Sequence, residues 1–238
     1  VLSAESGAAG PVRFRGGPVI LKKPSKLFTL VLALSTALVV LTGSIAVPIL
    51  FRPFYYLQIG PLHLVEQTGW DEETIREAYD EVLDYCVLGK EFGTGDLAWS
   101  ESGRDHFADA AGLFHLDFRV FLLSAAVLLA CLLALHRGAF TPWRPLGRGP
   151  GFWAGAGLAG VFLVVAALAA SNFERAFVVF HQLFFPGKDN WVFDYRTDQI
   201  ILILPMEFFR NCAILIVMLM LVCCAGLILW DFRKKRTN

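Results

Sequence analysis

The sequence predicts an all-α membrane protein with four transmembrane helices and a small extracytoplasmic α-helical cap. Apolar residues make up 56% of the 238 residues and the mean hydropathy is +0.57, which is more apolar surface than a soluble core of this size can bury. The apolar residues come in blocks, each long enough to cross a hydrocarbon layer of roughly 30 Å, which takes about 20 residues. Acidic and basic residues fall in different connections between the blocks, so the chain has two distinct sides.

Four apolar blocks divide the chain. We expect transmembrane helices at residues 27–50, 116–136, 152–172 and 209–230. The first block is too long for a signal peptide and lacks a clear small-residue cleavage site, so we interpret it as a span. The remaining segments are assigned to a cytoplasmic N-terminal tail (1–26), an extracytoplasmic cap (51–115), a cytoplasmic loop (137–151), an extracytoplasmic candidate active-site segment (173–208) and a cytoplasmic C-terminal tail (231–238).

Lysine and arginine residues define the expected orientation. They precede the first span, connect spans two and three, and follow span four, so these segments are expected in the cytoplasm. The connection after the first span is strongly acidic, and we expect both long connections on the outer side. The formal net charge of +0 thus combines an acidic outer half with a basic inner half, which argues against a nucleic-acid partner.

The first outer connection contains one clear helix signal. Residues 68–71 offer capping side chains, and apolar residues then recur at helical spacing until Gly89 can end the helix. Acidic residues occupy the other face, so we predict a short amphipathic helix that caps the outer membrane surface. The simpler alternative is that this helix only packs on the ends of the spans.

Two histidines are the candidate chemical groups. His106 precedes the second span and lies three residues before Asp109, so a helix would place both on one face, where the carboxylate can orient the imidazole or hold its proton. Taken alone, an interfacial histidine is more often a solvated residue than a catalyst. His181 follows the third span. Because the second span begins and the third ends on the same side, His106 and His181 can meet at one rim of a four-helix bundle.

The surroundings of His181 are unusually aromatic and acidic for a connecting loop. Glu174, Phe177 and His181 share a helical face, so the third span is expected to continue as an interfacial helix that ends before Pro186. The candidate supporting residues are Phe184, Phe185, Lys188, Asp189, Trp191, Asp194, Arg196 and Asp198. For the aromatic residues an interfacial belt is an equally good interpretation, and for the aspartates a structural role is the better one.

These residues resemble a known family. The block FHQLFFPGKDNWVFDYRTDQIILILPMEFF at 180–209, the upstream HFADA at 106–110 and the four-span layout are similar to the bacterial lipoprotein intramolecular transacylases. The resemblance implies an enzyme that moves the sn-2 acyl chain of a diacylglyceryl-cysteine lipoprotein to its N-terminal α-amine, leaving an N-acyl lyso-lipoprotein. It also implies diacylglyceryl-modified lipoproteins as substrates and an active site at the outer leaflet. We further expect membrane phospholipid as a partner, a monomer in the bacterial cell membrane, and neither a cofactor nor a metal.

The resemblance also implies roles for the two histidines. The α-amine, with a pKa near 8, must lose a proton to attack the ester, and the departing glycerol alkoxide must regain one. His181 is expected as the principal base or a transient acyl carrier, and His106, oriented by Asp109, as its partner in proton transfer or oxyanion stabilisation. The exchange of these two roles stays open.

Two other function classes are compatible with the same residues. A metal-dependent membrane hydrolase would use His106, His115, His181 and nearby acids as ligands, although the sequence lacks HExxH spacing. A non-enzymatic lipid-binding or lipoprotein-binding accessory protein would use the outer cap to recruit a partner. Function retained after replacement of both histidines would favour the accessory protein.

Overall fold

The computed structural model describes residues 23–236, and this part of the chain is α-helical without a β-strand. Residues 1–22 of the predicted N-terminal tail and the last two residues lie outside the described range. The helices are α1 (Lys26–Leu50), α2 (Pro53–Ile59), α3 (Leu64–Thr68), α4 (Glu72–Leu88), α5 (Glu101–His136), α6 (Pro150–Ser171), α7 (Phe173–Phe184), α8 (Ile200–Ile203) and α9 (Met206–Arg236).

Four of these helices, α1, α5, α6 and α9, are long and apolar enough to cross a membrane. The all-α membrane class is therefore confirmed. Helix α1 is central, since it packs against α5, α6 and α9, while α6 also packs against α9. In the most apolar stretch of α5, α6 and α9 only 11% of the residues are buried within the protein, so most apolar side chains of the bundle point outward. Such an exterior requires lipid as its solvent.

The hydroxyl groups of α1 are paired within the helix itself. The Ser25 hydroxyl caps the first turn by accepting a hydrogen bond from the Phe28 amide at 3.2 Å. Further along, Thr36 donates to the Leu32 carbonyl and Thr42 to the Leu38 carbonyl, each at 2.7 Å. Both threonine hydroxyls have an acceptor four residues earlier, so α1 can cross hydrocarbon without an unpaired hydroxyl at these positions.

Helix α5 begins 15 residues before the predicted second span. The Ser100 hydroxyl caps it by accepting a hydrogen bond from the Gly103 amide at 3.1 Å, and the helix then continues unbroken to His136. Its 36 residues give a length of about 54 Å at 1.5 Å per residue, far more than the bilayer core needs. The first turns of α5 therefore belong to the cap and carry His106.

The cap contains the main hydrophobic core of the described residues. Helix α4 lies at the predicted position: the Asp71 carboxylate accepts a hydrogen bond from the Thr74 amide at 2.8 Å, and Gly89, with φ of 67°, ends the helix. Helix α4 packs against α5 and α8. The buried core residues of the cap come from α2, α3, α4 and the α8–α9 region, and include Tyr55, Ile59, Leu64, Ile75, Ala78, Val82, Cys86, Ile200, Ile203 and Phe208.

Helix α7 continues the chain after α6 in a new helix. Asn172 has an extended backbone with φ of −160°, and its side chain accepts a hydrogen bond from the Arg175 amide at 2.8 Å, which starts α7. The helix ends before Pro186, as the sequence predicts. Its exposed side chains include Glu174 and Arg175 in the first turn, and the apolar Val179, Phe180 and Leu183 further along. Helix α7 thus extends the apolar exterior of the bundle to the edge of the cap.

Candidate active site

His106 of α5 and His181 of α7 meet at the junction of the bundle and the cap. The centroids of the two imidazole rings are 5.7 Å apart, with 33° between the ring planes. Only 8% of His106 and 6% of His181 are exposed. Burial makes both rings costly to protonate, and two ionisable groups in such surroundings mark the pair as a candidate site.

The last turn of α7 fixes the His181 ring. Its Nδ1 atom lies 2.8 Å from the carbonyl oxygen of Phe177. A carbonyl can only accept, so Nδ1 carries the proton of the neutral imidazole and Nε2 keeps a lone pair. Burial lowers the pKa of His181 below the usual 6.5, and the hydrogen bond to Phe177 opposes this lowering. The ring is therefore neutral near pH 7, with Nε2 available as a base.

Aromatic side chains enclose both imidazoles. Trp191 stacks on His181 with a centroid distance of 4.7 Å, and Phe193 meets His106 edge-on at 5.4 Å. Phe185 is buried between the two, 5.3 Å from His106 and 5.7 Å from His181. Direct contact with the histidines thus describes Trp191 and Phe193 better than an interfacial belt. Phe184 is different, because it is half exposed and packs on Phe180.

Asp109 does not orient His106, which corrects the sequence-based expectation. The Nδ1 atom of His106 is buried without a hydrogen-bond partner among the described residues. The Asp109 carboxylate is taken by the loop after α7: Oδ1 accepts from Lys188, and Oδ2 accepts from the Asn190 amide at 3.1 Å. Three residues of separation place Asp109 and His106 on one helical face, but the lysine offers the carboxylate a charge-assisted bond.

Asp198 fastens the same loop to the start of α5. It is 4% exposed and accepts hydrogen bonds from the Ser100 amide and the Ser100 hydroxyl, both at 2.8 Å. The fit is tight, since a Cβ atom at Gly103 would lie 2.1 Å from Asp198 Oδ1. Asp198 thus supports the site from two turns before His106 and touches neither histidine.

The other predicted supporting residues lie farther out. Asp194 accepts a hydrogen bond from the Arg196 amide at 3.0 Å, which closes a turn of its own loop. Asp189 is exposed, and only its carbonyl takes part in a turn, with the Val192 amide at 2.9 Å. The Arg196 guanidinium is exposed and lies 5.7 Å from the Tyr195 ring. None of these three side chains contacts an imidazole.

An apolar cavity of about 680 Å³ opens beside the two histidines. Its walls come from α1, α4, α5, α7, α8, α9 and the loop after α7, and include Ile45, Leu83, Leu113, Phe114, Phe209 and Ile216. His106 and His181 belong to the same wall, so the polar chemistry lies against an apolar chamber of the size that small-molecule sites have. A larger groove of about 1170 Å³ follows the charged face of α4 and contains neither histidine.

A family model for the lipoprotein intramolecular transacylase Lit matches residues 30–209 of the sequence, from α1 to the first turn of α9. The chain belongs to the Lit family. It is a multi-pass membrane protein and a lipoprotein intramolecular transacylase, with lipoproteins as substrates. No curated protein matches the chain by sequence.

Solved structures of another Lit protein agree with this assignment. The membrane-integral lipoprotein intramolecular transacylase Lit from Bacillus cereus is 27% identical to the chain and superposes with a TM-score of 0.77, over 89% of this chain and 97% of the other. Two forms of the same protein, with arginine or alanine in place of one histidine, each give 25% identity and a TM-score of 0.73. They cover 89% of this chain and 93% or 95% of the other.

The alternative functions gain no support within the Lit family. Across residues 23–236 no three side chains of His, Cys, Asp or Glu come together as a metal site would require. His115, considered as a ligand, lies nine residues after His106 on α5 and packs on Phe118. The family assignment also favours an enzyme over an accessory protein.

Sequence reasoning did not identify three parts of this Lit site. These are the Phe177 carbonyl, the Asn190 amide and the Ser100 cap. A signal existed only for Ser100, since serine followed by the helix-forming stretch from Glu101 is a typical helix start. A backbone carbonyl and a loop amide have no sequence pattern that would reveal them.

Proposed function

We propose that this chain transfers the sn-2 acyl chain of a diacylglyceryl-cysteine lipoprotein to the α-amine of the same cysteine, which leaves an N-acyl lyso-lipoprotein. The observation that carries the proposal is the pairing of His181, with an unprotonated Nε2, and His106 at the wall of an apolar cavity. The reaction needs one proton acceptor that can return the proton, and a place for an acyl chain. The site offers both.

In the proposed reaction His181 acts first as base and then as acid. Its Nε2 removes a proton as the α-amine forms a bond to the ester carbonyl carbon, and the carbonyl oxygen becomes an oxyanion. The intermediate then collapses, the bond between that carbon and the sn-2 oxygen breaks, and the departing oxygen takes the proton from His181. No second reactant is consumed. His106 supports the oxyanion or the proton transfer, because its buried Nδ1 has no partner among the described residues.

The cavity is the proposed site of the migrating acyl chain. Its lining is mainly apolar, and the chain enters it from lipid without crossing water. Phe180 supports lateral entry, because it both lines the cavity and is 46% exposed on the apolar face of α7. Membrane phospholipid is expected to cover that face when no substrate is bound.

We propose that the histidines lie at the outer leaflet of the bacterial cell membrane, with both chain termini in the cytoplasm. Basic residues gather at the end of the bundle opposite the cap, including Arg137, Arg144, Arg148, Arg233 and Lys234. The exposed face of α4 in the cap is acidic. A monomer is the proposed active form, since one chain supplies every contact described around the two imidazoles.

Mass spectrometry of a lipoprotein N-terminal peptide tests this function. Cells that produce a diacylglyceryl-modified lipoprotein would be compared with and without this chain. The expected product keeps its total acyl content, but one chain is amide-linked to the cysteine and the glycerol carries a free hydroxyl. Unchanged diacylglyceryl peptide in cells that accumulate the protein would contradict the proposal.

A further inference from the structure

Asp109 is bound to two residues of one short loop. Its Oδ1 accepts from the Lys188 ammonium and its Oδ2 from the Asn190 side chain. Among the described residues, these are the hydrogen bonds that tie residues 186–193 to another element, because the remaining ones close turns within the segment or with Phe185. The first part of the loop after α7, residues 186–193, therefore has its polar attachment to α5 through Asp109, while Asp198 attaches the end of the loop to Ser100.

The same loop holds the ring that covers His181. The Trp191 indole donates to the Lys188 carbonyl at 3.0 Å, so the side chain and the backbone of Lys188 are both engaged. The indole then stacks on the His181 imidazole at 4.7 Å. Three successive contacts thus lead from Asp109 through Lys188 and Trp191 to His181. His106 lies on the same helical face as Asp109 but is not part of this series of contacts.

We propose that Asp109 is a positioning residue for the reaction, which holds Lys188 and Asn190 so that Trp191 keeps the His181 ring covered and aligned. This inference rests on the proposed function of His181. It replaces the direct role toward His106 that the three-residue spacing suggested. Asp109 forms no hydrogen bond with either imidazole, and its contacts reach His181 through the loop.

A charge exchange between Asp109 and Lys188 tests the proposal in the full chain. Asp109→Lys and Lys188→Asp are each expected to lower kcat for a diacylglyceryl lipopeptide in detergent micelles by about tenfold to a hundredfold, because residues 186–193 lose their polar attachment to α5. The double variant again places one lysine opposite one aspartate, with their positions exchanged. The ion pair can form as before, so most of the lost kcat should return. A double variant no faster than its slower parent would overturn the proposal.

Asp109→Asn and its control separate positioning from general stability. Asp105→Asn is the matched control, since Asp105 lies one turn earlier on α5, is exposed, and among the described residues pairs with Arg104, which also pairs with Glu101. We expect Asp109→Asn to lower kcat more than it changes KM, and Asp105→Asn to behave as the wild type. Combining Asp109→Asn with Trp191→Leu should be no slower than Trp191→Leu alone. Additive losses in the combined variant would contradict a shared path.

Chemical modification of His181 tests the positioning role of Asp109 without measuring acyl transfer. Diethyl pyrocarbonate modifies unprotonated imidazole, and the His181 peptide can be followed by mass spectrometry. Asp109→Asn should raise the rate of His181 modification several-fold, while His63, which is 71% exposed in its side chain, reacts as in the wild type. An unchanged His181 rate would overturn the proposal. If the wild type does not transfer acyl chains, yet His181 is modified faster in Asp109→Asn than in the wild type, the proposed function is wrong and the positioning role of Asp109 is supported.

Discussion

The Nδ1 atom of His181 lies 2.8 Å from the carbonyl oxygen of Phe177, one helical turn earlier. This contact assigns the proton of the neutral ring to Nδ1 and leaves Nε2 for chemistry. The helix thereby both positions the imidazole and selects its tautomer.

Replacement of His181 tests the base directly. His181→Ala should lower the rate of acyl transfer by about a hundredfold to ten thousandfold, the range for loss of a general base. His115→Ala is the matched control, because His115 also lies on α5, packs on Phe118 and is not among the described residues that line the cavity. The lipopeptide product is measured by mass spectrometry at equal protein levels. Transfer by His181→Ala at the control rate would exclude His181 as the base.

The lowered pKa of His181 predicts a direction for the effect of pH. In the folded protein the pKa of His181 lies below the usual 6.5. Its Nε2 should therefore stay unprotonated, and reactive toward diethyl pyrocarbonate, somewhat below pH 6.5. The unfolded chain binds the proton more readily than the folded protein does. The neutral His181 ring therefore favours the folded state fully above pH 6.5, and this stability is lost as the pH falls below 6.5. Modification of the His181 peptide would be measured from pH 5 to pH 8. A midpoint above 6.5 would contradict the effect of burial.

Asp198 should matter for stability more than for chemistry. Asp198→Asn weakens the bonds to the Ser100 amide and hydroxyl and is expected to cost about 2–3 kcal/mol of unfolding free energy. Gly103→Ala should be destabilising as well, because its methyl group would meet Asp198 Oδ1. Thermal unfolding in detergent micelles measures both. Asp194→Asn, in an exposed turn of the same loop, provides the comparison and should unfold close to the wild type.

The cavity predicts a dependence on acyl-chain length. Ala213 lines it from α9, so Ala213→Phe fills part of the space that a long chain would use. We expect transfer of long chains to slow strongly and transfer of short chains to continue. Ala126→Phe places the same ring on an exposed face of α5 and should leave the profile unchanged. Lipopeptides that differ only in the sn-2 chain provide the measurement, and an identical profile for both variants would argue against the cavity as the acyl site.

The sequence predicted the four spans because apolar length is what a bilayer requires, and α1, α6 and α9 begin within three residues of the expected positions. It also predicted that His106 and His181 could meet, since alternating spans bring both to one rim. The start of α5 was missed because hydropathy records where a helix is apolar. Ser100 and Glu101 begin the helix in a polar stretch that such a measure passes over.

The hydrogen-bond partners of Asp109 could not be predicted from the sequence for a different reason. Helical spacing states which side chains share a face, and it was correct for His106 and Asp109. It does not state which donor a carboxylate meets when a loop from 80 positions later folds over it, and here Lys188 and Asn190 arrive from such a loop. The cavity likewise arises only when six helices are assembled, so no single segment carries its signal.

The unbroken course of α5 has a mechanical consequence. One continuous helix from Glu101 to His136 joins the cap to the far side of the membrane, so the height of His106 above the bilayer centre is set by a rigid rod of about 1.5 Å per residue. A thicker or thinner bilayer would move the lipid ester relative to that fixed height, or tilt the rod. Acyl transfer in this protein should therefore depend on the chain length of the surrounding lipid, with one thickness at which the ester and the imidazoles lie level.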